Sequence, residues 1–388
     1  MSIELKELKN YVSLTQGLAI NEGSAHLVSS SKSDDFSLPL LRIADMMENK
    51  YEKYISKEVQ RNVIATPSDI IYTRTGQIGL VFTGKYGVVH NNSFIVKIIN
   101  DDLLPNYLIA ILQSDFVRKQ ALSFAHNSVQ PDLTHDMFKA IKIPIPSKPE
   151  QEKFANLYHC FMAKIDKNNA INNNLLQMID TVYQEFVYSN RALKSKFKVQ
   201  NMFQNDLFTL IKSGVKHFNT KTYYATSEVN GINISNGWTI TYEDRESRAN
   251  MTPSLYSVWF AKMKNSIKHL FLNSEMQMFI DNSILSTGFY GLQCTELSFE
   301  YIASVIHNTN FEKLKDILSH GATQQGIGDD DLKNIKLLVP TEELLREYHQ
   351  KTAPLFSLIA KNINENNSLI RLRDYLLPLL MNGQVIVD

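Results

Sequence analysis

The C-terminal half of this chain repeats its N-terminal half, and the tails of the two copies match best. The first copy reads Gln130-Pro131-Asp132-Leu133 and then Phe138-Lys139-Ala140-Ile141-Lys142-Ile143-Pro144-Ile145-Pro146. The second reads Gln324-Gln325-Gly326-Ile327 and then Leu332-Lys333-Asn334-Ile335-Lys336-Leu337-Leu338-Val339-Pro340. Equivalent residues such as Ile141 and Ile335 lie 194 positions apart, half of the 388-residue length, so this is one tandem duplication and not an array of short repeats. Near the start of each copy Leu14-Thr15-Gln16-Gly17 matches Ile211-Lys212-Ser213-Gly214 at an offset of 197, so the second copy has lost a net three residues before its tail. The middles barely align. A duplicated chain offers two similar surfaces related by an approximate two-fold axis, a geometry suited to a target made of two parts.

Two domains of ordinary size fit this length. Hydrophobic residues make up 44%, enough for real cores, and net charge is zero. A free nucleic-acid binder is more often basic, so the balance argues mildly against DNA binding unless charge is segregated by face. It also suits a subunit of a larger complex. Cys160 and Cys294 lie in different halves without metal spacing, which suggests a reducing compartment. The first nine residues have no signal-peptide core. Apolar runs such as Leu376-Leu377-Pro378-Leu379-Leu380-Met381 are too short to span a bilayer. The expectation is a soluble cytoplasmic protein with no membrane contact.

Residues 39–43, 69–74, 78–83 and 93–99 read as strands, punctuated by Gly76, Gly84 and Asn91-Asn92. Tyr107 to Val117 has helical spacing, and Ile141 to Pro146 reads as a last, edge-type strand. In the second copy 257–263 and 283–294 read as strands, and Tyr301 to Ile306 repeats the Tyr107 helix.

Two long helices carry the strongest periodicity, from about Pro149 to Tyr188 and from about Thr341 to Asn382. Their stripes (Phe154, Phe161, Ile165, Leu175, Leu176, Ile179, Tyr183 and Phe186; Tyr348, Leu355, Ile359, Leu369, Ile370, Leu377 and Leu380) correspond at the 194 offset, except that Ile179 falls on Arg373, with three- and four-residue steps as in a coiled coil. Pro354 should kink or interrupt the second helix. Gly383 should end it. Asn168, Asn172, Asn362 and Asn366 fall at equivalent levels, either as buried amides that fix register or on the solvated face. Helices of roughly 35 residues are about 50 Å long and suit a spacer better than a core.

The Lys142 to Gln151 junction, its weaker copy Leu338 to Glu343, the ending Leu372 to Gly383, and the phrases Asp69 to Gly79 and Ser286 to Phe289 together resemble the specificity subunit of type I restriction-modification enzymes. The resemblance implies an α+β chain with two tandem α/β target recognition domains, each followed by a long helix, the two helices paired as an antiparallel coiled coil. The domains would be 1–148 and 191–340, the helices 149–190 and 341–388. It implies that the chain reads a bipartite, asymmetric double-stranded DNA target. It also implies that two methyltransferase subunits dock on it and that restriction subunits join through the complex. In the second copy Pro149-Glu150-Gln151 becomes Glu343-Leu344-Leu345, which weakens a partner contact there.

No catalytic constellation stands out, and no cofactor or metal is expected. The prolines include no Asn/Asp-Pro-Pro-aromatic loop for an amino-methyltransferase, and Walker A spacing is absent. Gly76-Gln77-Ile78-Gly79 suits a hairpin turn, and Asp329-Asp330-Asp331 a solvated turn. Candidate DNA contacts are Arg74, Thr75, Gln77, Lys85, Asn91 and Asn92 in the first copy, and Lys262, Lys264, Asn265 and Lys268 in the second. Arginine can pair with guanine and amides with adenine, while lysines suit phosphates. Gln130 and Gln324 recur at equivalent places, toward DNA or in a structural turn. Each of these could instead be an ordinary surface residue. The rival functions are a coiled-coil scaffold without catalysis and a DNA-modifying enzyme with an unfamiliar site.

Overall fold

The computed structural model describes residues 4–125, 131–189, 196–321 and 325–381. The chain forms two compact units, Met1–Met162 with Ile370–Asp388, and Ala163–Leu369. The division runs through both long helices, so each unit contains a stretch of each.

The first unit has strands β1 (Leu5–Glu7), β2 (Val12–Gln16), β3 (Val28–Ser29), β4 (Phe36–Leu41), β5 (Tyr54–Ser56), β6 (Ile64–Ala65), β7 (Ile70–Thr73), β8 (Val81–Phe82), β9 (Gly87–Val89), β10 (Ser93–Ile98) and β11 (Lys142–Pro144). Its helices are α1 (Ile43–Glu48), α2 (Pro105–Leu112), α3 (Asp115–Ala125), α4 (His135–Lys139) and the start of α5 (Lys148–Gln184). One antiparallel sheet has the order β2-β10-β7-β8, a second the order β3-β5-β4-β9-β6, and β1 pairs β11. Strand β7 is buried on both faces. Ile70 and Tyr72 point with Phe94 and Val96 toward α2, α3 and α4, while Ile71 and Ile95 meet Leu41, Ala65 and Val89 of the second sheet. That double burial is why the segment reads as a continuous apolar run.

The second unit has β12 (Phe197–Asn201), β13 (Phe208–Leu210), β14 (Lys221–Tyr224), β15 (Val229–Asn230), β16 (Asn233–Ile234), β17 (Trp238–Ile240), β18 (Ala249–Met251), β19 (Ser257–Ala261), β20 (His269–Leu272), β21 (Ser283–Ser286), β22 (Phe289–Cys294) and β23 (Lys336–Pro340). Its helices are α6 (Gln277–Asn282), α7 (Phe299–His307), α8 (Thr309–Leu318), α9 (Asp329–Asn334) and most of α10 (Glu342–Met381). Its sheets run β13-β22-β19-β20 and β17-β14-β21-β18, with β12 on β23. Most of these strands repeat the first unit, although β3 has no counterpart here and the β15·β16 hairpin is added. The parallel pair β14·β21 stands where β4·β9 stands, flanked by antiparallel β17 and β18 as β4·β9 is by β5 and β6. The middles that barely align in sequence therefore share one topology.

Directional contacts survive at the 194 offset. Tyr107 Oη donates to the Pro144 carbonyl at 2.9 Å, and Tyr301 Oη to the Leu338 carbonyl at 2.5 Å. The Tyr107 ring packs edge-on against Phe154 with centroids 5.5 Å apart, and Tyr301 against Tyr348 at 5.6 Å. These tie the helix after each sheet to the last strand and to the long helix.

Several sequence expectations change. The Tyr107–Val117 helix breaks after Leu112, where Ser114 Oγ donates to the Ile111 carbonyl and α3 restarts at Asp115. The expected 78–83 strand is only β8, because Gly76 and Gly79 take φ of +74° and +95° and form the turn. Helix α10 is not interrupted at Pro354. Buried Thr352, Phe356 and Ile359 pack on both sides of the proline and offset its missing hydrogen bond. The triple acid opens α9 and is not a turn, with Asp331 Oδ2 accepting the Gly328 N–H at 2.9 Å. Gly383 lies outside the described residues.

Within the second unit, residues 163–184 and 342–369 pair antiparallel. Asn168 Nδ2 donates to Asn366 Oδ1 at 2.9 Å, Asn362 Nδ2 to Asn172 Oδ1 at 2.8 Å, and Phe186 packs on Tyr348. All four asparagines are buried. In the first unit Arg373 Nη1 contacts Met162 Sδ, and Leu377 joins the core of Phe154 and Tyr158. Charging the seam should be costly. Replacing buried Ile165 and Ile359 together by Asp should remove roughly 3 kcal/mol or more at each site. We expect aggregation or unfolding on size exclusion and in urea melts; a monodisperse double variant would show that the seam is not structural.

Candidate DNA interface

Most of the candidate residues of the two copies fall on or beside topologically equivalent hairpins. The β7–β8 turn carries Arg74, Thr75 and Gln77, and the β19–β20 turn carries Lys262, Lys264, Asn265 and Lys268. Each turn begins with the same isolated bridge to the segment before the last short helix, Thr75 to Asp132 in one and Met263 to Gly326 in the other. Asp132 and Gly326 are equivalent at the 194 offset.

In the first turn Arg74 is fully engaged. Its Nη2 pairs with Asp132 Oδ2 at 2.5 Å, Nε donates to the Leu133 carbonyl and Nη1 to the Asn91 carbonyl, both at 3.2 Å, and the guanidinium lies 5.5 Å from the Phe94 ring centre. Backbone N–H of Arg74 donates to the Asn92 carbonyl at 2.8 Å, which brings Asn91 and Asn92 beside the turn. The arginine is thus a strap across three segments. Gln77 is exposed and Thr75 half-buried. Thr73 Oγ1 donates to the Gln77 carbonyl and accepts the Leu80 N–H, which shapes the turn from beneath. Lys85 sits elsewhere. Its Nζ donates to the Met46 carbonyl at 3.0 Å and to Asn49 Oδ1, closing the C-terminus of α1.

In the second turn two lysines are likewise occupied. Lys262 Nζ lies 4.3 Å from the Tyr290 ring centre, a cation–π contact. Lys268 Nζ donates to the Thr226 carbonyl at 2.5 Å. Burial lowers the pKa of both ammonium groups. Lys264, half-buried, has no side-chain partner among the described residues, and Asn265 is exposed with φ +55°. Gln130 and Gln324 lie outside the described residues. Groups the sequence did not single out support the turn: Asp132 in the first unit, and His269, Glu312, Lys315 and Asp316 in the second. Nothing in a lone lysine or glutamate within an amphipathic helix distinguishes it from a surface charge.

The junction into α5 is also structural. Ser147 and Glu150 form a capping pair, with Glu150 Oε2 2.9 Å from Ser147 N and 2.6 Å from its Oγ. Gln151 is fully buried. It accepts the Leu104 N–H at 2.9 Å and donates to the carbonyls of Asp102 and Pro146 at 2.7 and 2.9 Å. It therefore clamps the start of α2 and is not available to a partner. Leu345, its equivalent, is buried in the apolar core.

Among the described residues no helix is long and apolar enough to cross a membrane, and no three His, Cys, Asp or Glu side chains are grouped to hold a metal. The described residues thus form two units of related α+β topology, each with a polar turn at the equivalent place. Residues 12–179 match the family described as type I restriction modification DNA specificity domain. The MjaIX specificity subunit of Methanocaldococcus jannaschii is 22% identical over 348 residues, covering 82% of this chain and 78% of that protein. The HindI specificity subunit of Haemophilus influenzae is 29% identical over 91 residues, 23% of this chain and 20% of that protein. The crystal structure of a type I restriction-modification S subunit from M. genitalium shares the fold, with a TM-score of 0.50 and 14% identity over 97% of this chain and 95% of that one. Residues 12–179 thus carry the match to a type I specificity domain, and over most of its length the chain is similar to a type I specificity subunit.

The strap and the free turn residues should behave oppositely. Arg74→Met leaves the Asp132 carboxylate and two carbonyls without their donor, at a cost of roughly 1–3 kcal/mol. Gln77→Ala and Lys264→Ala should each stay within about 0.5 kcal/mol of the parent. Urea unfolding of the three variants checks this, and equal midpoints for Arg74→Met and the parent would show the strap to be idle.

Proposed function

We propose that this chain is the non-catalytic DNA-reading subunit of its complex, each recognition domain (1–148 and 191–340) reading one half of a bipartite, asymmetric target. The observation that carries this is the pair of equivalent hairpin turns bearing different polar residues on one repeated topology. Gln77 and Thr75, with Asn91 and Asn92 beside them, suit base edges on one side; Lys264 and Asn265 suit the other half-site. The helices 149–190 and 341–388 space the domains. Two methyltransferase subunits dock along them, and restriction subunits join through the assembly. Met178 and Leu372, equivalent at the 194 offset and both more than half exposed, supply matching apolar contacts for the two copies.

The direct test is exchange of residues 20–145 for those of a relative, followed by methylome sequencing. One half of the methylated motif should change and the other persist. Alteration of both halves, or of neither, refutes the division of labour.

Spacing gives a second outcome. Four residues inserted after Ala170 and four after Asn364, which lie opposite each other, add about one turn or roughly 6 Å to each helix while keeping both amide pairs. At about 3.4 Å per base pair, the gap between half-sites should lengthen by one or two base pairs in the methylome. An unchanged gap with full methylation means that the helices do not space the domains.

Docking gives a third. Met178→Glu or Leu372→Glu alone should remove one of two bound methyltransferase subunits by native mass spectrometry, and the double variant both. Retention of two in the double variant excludes this surface.

A further inference from the structure

The second hairpin turn is held from beneath by buried charge. Lys315 of α8 is wholly inaccessible. Its Nζ donates to the Ser266 carbonyl at 2.9 Å and lies 2.7 Å from Glu312 Oε2. The other carboxylate oxygen, Oε1, is 2.8 Å from Nε2 of buried His269, the first residue of β20. Asp316 Oδ1 accepts the backbone N–H of Asn265 at 2.9 Å. Helix α8 thus bonds two consecutive residues of the turn, and the hairpin itself returns a histidine to the same carboxylate.

Stability alone does not account for this cluster. A buried ion pair is seldom more stabilising than apolar residues of the same volume. The first unit does without the pair at these positions: α3 carries buried Ala121 at the place of Lys315 and exposed Arg118 at the place of Glu312. Apolar packing does not hold the turn either. Ile267 is 58% exposed, and it lines a cavity of about 780 Å³ with Leu176, His307 and Glu312. What the ammonium adds is a directional bond to one particular carbonyl.

We propose that His269, Glu312 and Lys315 form a positioning device for residues 262–268, fixing the backbone from which Lys264 and Asn265 reach DNA. Glu312 neutralises the buried ammonium, His269 orients the carboxylate, and Lys315 directs a donor to the turn. Holding the turn in its bound shape lowers the ordering cost of binding and sharpens discrimination between bases more than general affinity. This rests on the assignment of the turn as a DNA contact.

The test uses the chain assembled with its methyltransferase partner. Glu312→Gln with Lys315→Met removes both charges at nearly constant volume. Melting should be unchanged or raised. Discrimination against single mismatches should fall about tenfold in the half-site of the second unit, identified by the 20–145 exchange, and stay intact in the other. His269→Gln, which keeps a donor toward the carboxylate, should retain discrimination where His269→Ala loses it. Lys264→Ala with Asn265→Ala separates the two ideas. If that variant binds DNA with parental affinity and salt dependence, the turn is not a DNA contact. If it binds more weakly while the Gln/Met variant discriminates like the parent, the positioning proposal alone falls.

Discussion

Two amide pairs in the helical seam set the geometry on which the second unit depends. An apolar stripe with three- and four-residue steps tolerates sliding, because one leucine-sized contact replaces another. An amide in such a seam does not, because each unpaired polar atom there carries a desolvation cost. Asn168 with Asn366 and Asn172 with Asn362 bond together in one antiparallel register. The 194 offset converts one bond into the other, so the local two-fold of the seam follows from the gene duplication. Lys164 and Glu365, 3.1 Å apart, and a second bond from Asn168 to Glu365 at 2.7 Å reinforce the same level.

Around the seam the two units keep topology and abandon sequence. Strands buried on both faces need side chains that are apolar and of suitable size, and many sets meet that condition. Trp259 against Gly291 is one local solution, since a Cβ at Gly291 would lie 2.6 Å from the indole ring. One directional contact is retained, Tyr107 to Pro144 with its counterpart Tyr301 to Leu338. The turns carry fewer packing constraints than the strands, and their polar residues differ between the two units.

Both turns are secured by ion pairs, but of different construction. In the first, Arg74 in the turn reaches out to Asp132. In the second, Lys315 reaches in from a helix with Glu312 as its counter-ion. A turn with little apolar support needs directional bonds if it is to hold one shape, and a held shape makes polar recognition selective. On the proposed function, the residues available to a target are those left over after the turn has been secured.

The duplication, the long helices, the level of the asparagines and the alternation of strand and turn were legible in the chain, because each is a local or periodic property of residues. So was the resemblance to type I specificity subunits, through the order of its phrases. The shared topology of the middles was not, because burial constrains polarity and volume and leaves identity free. Nor could the sequence separate strap from probe. Arg74, Lys85, Lys262 and Lys268 look like free cations in one dimension, yet each finds a carbonyl, carboxylate or ring supplied by a distant segment. Gln151 looked like a partner contact and is a buried clamp. Those assignments belong to tertiary structure, since a side chain's role is set by the partners the fold brings within hydrogen-bonding reach, and chain spacing carries no record of them.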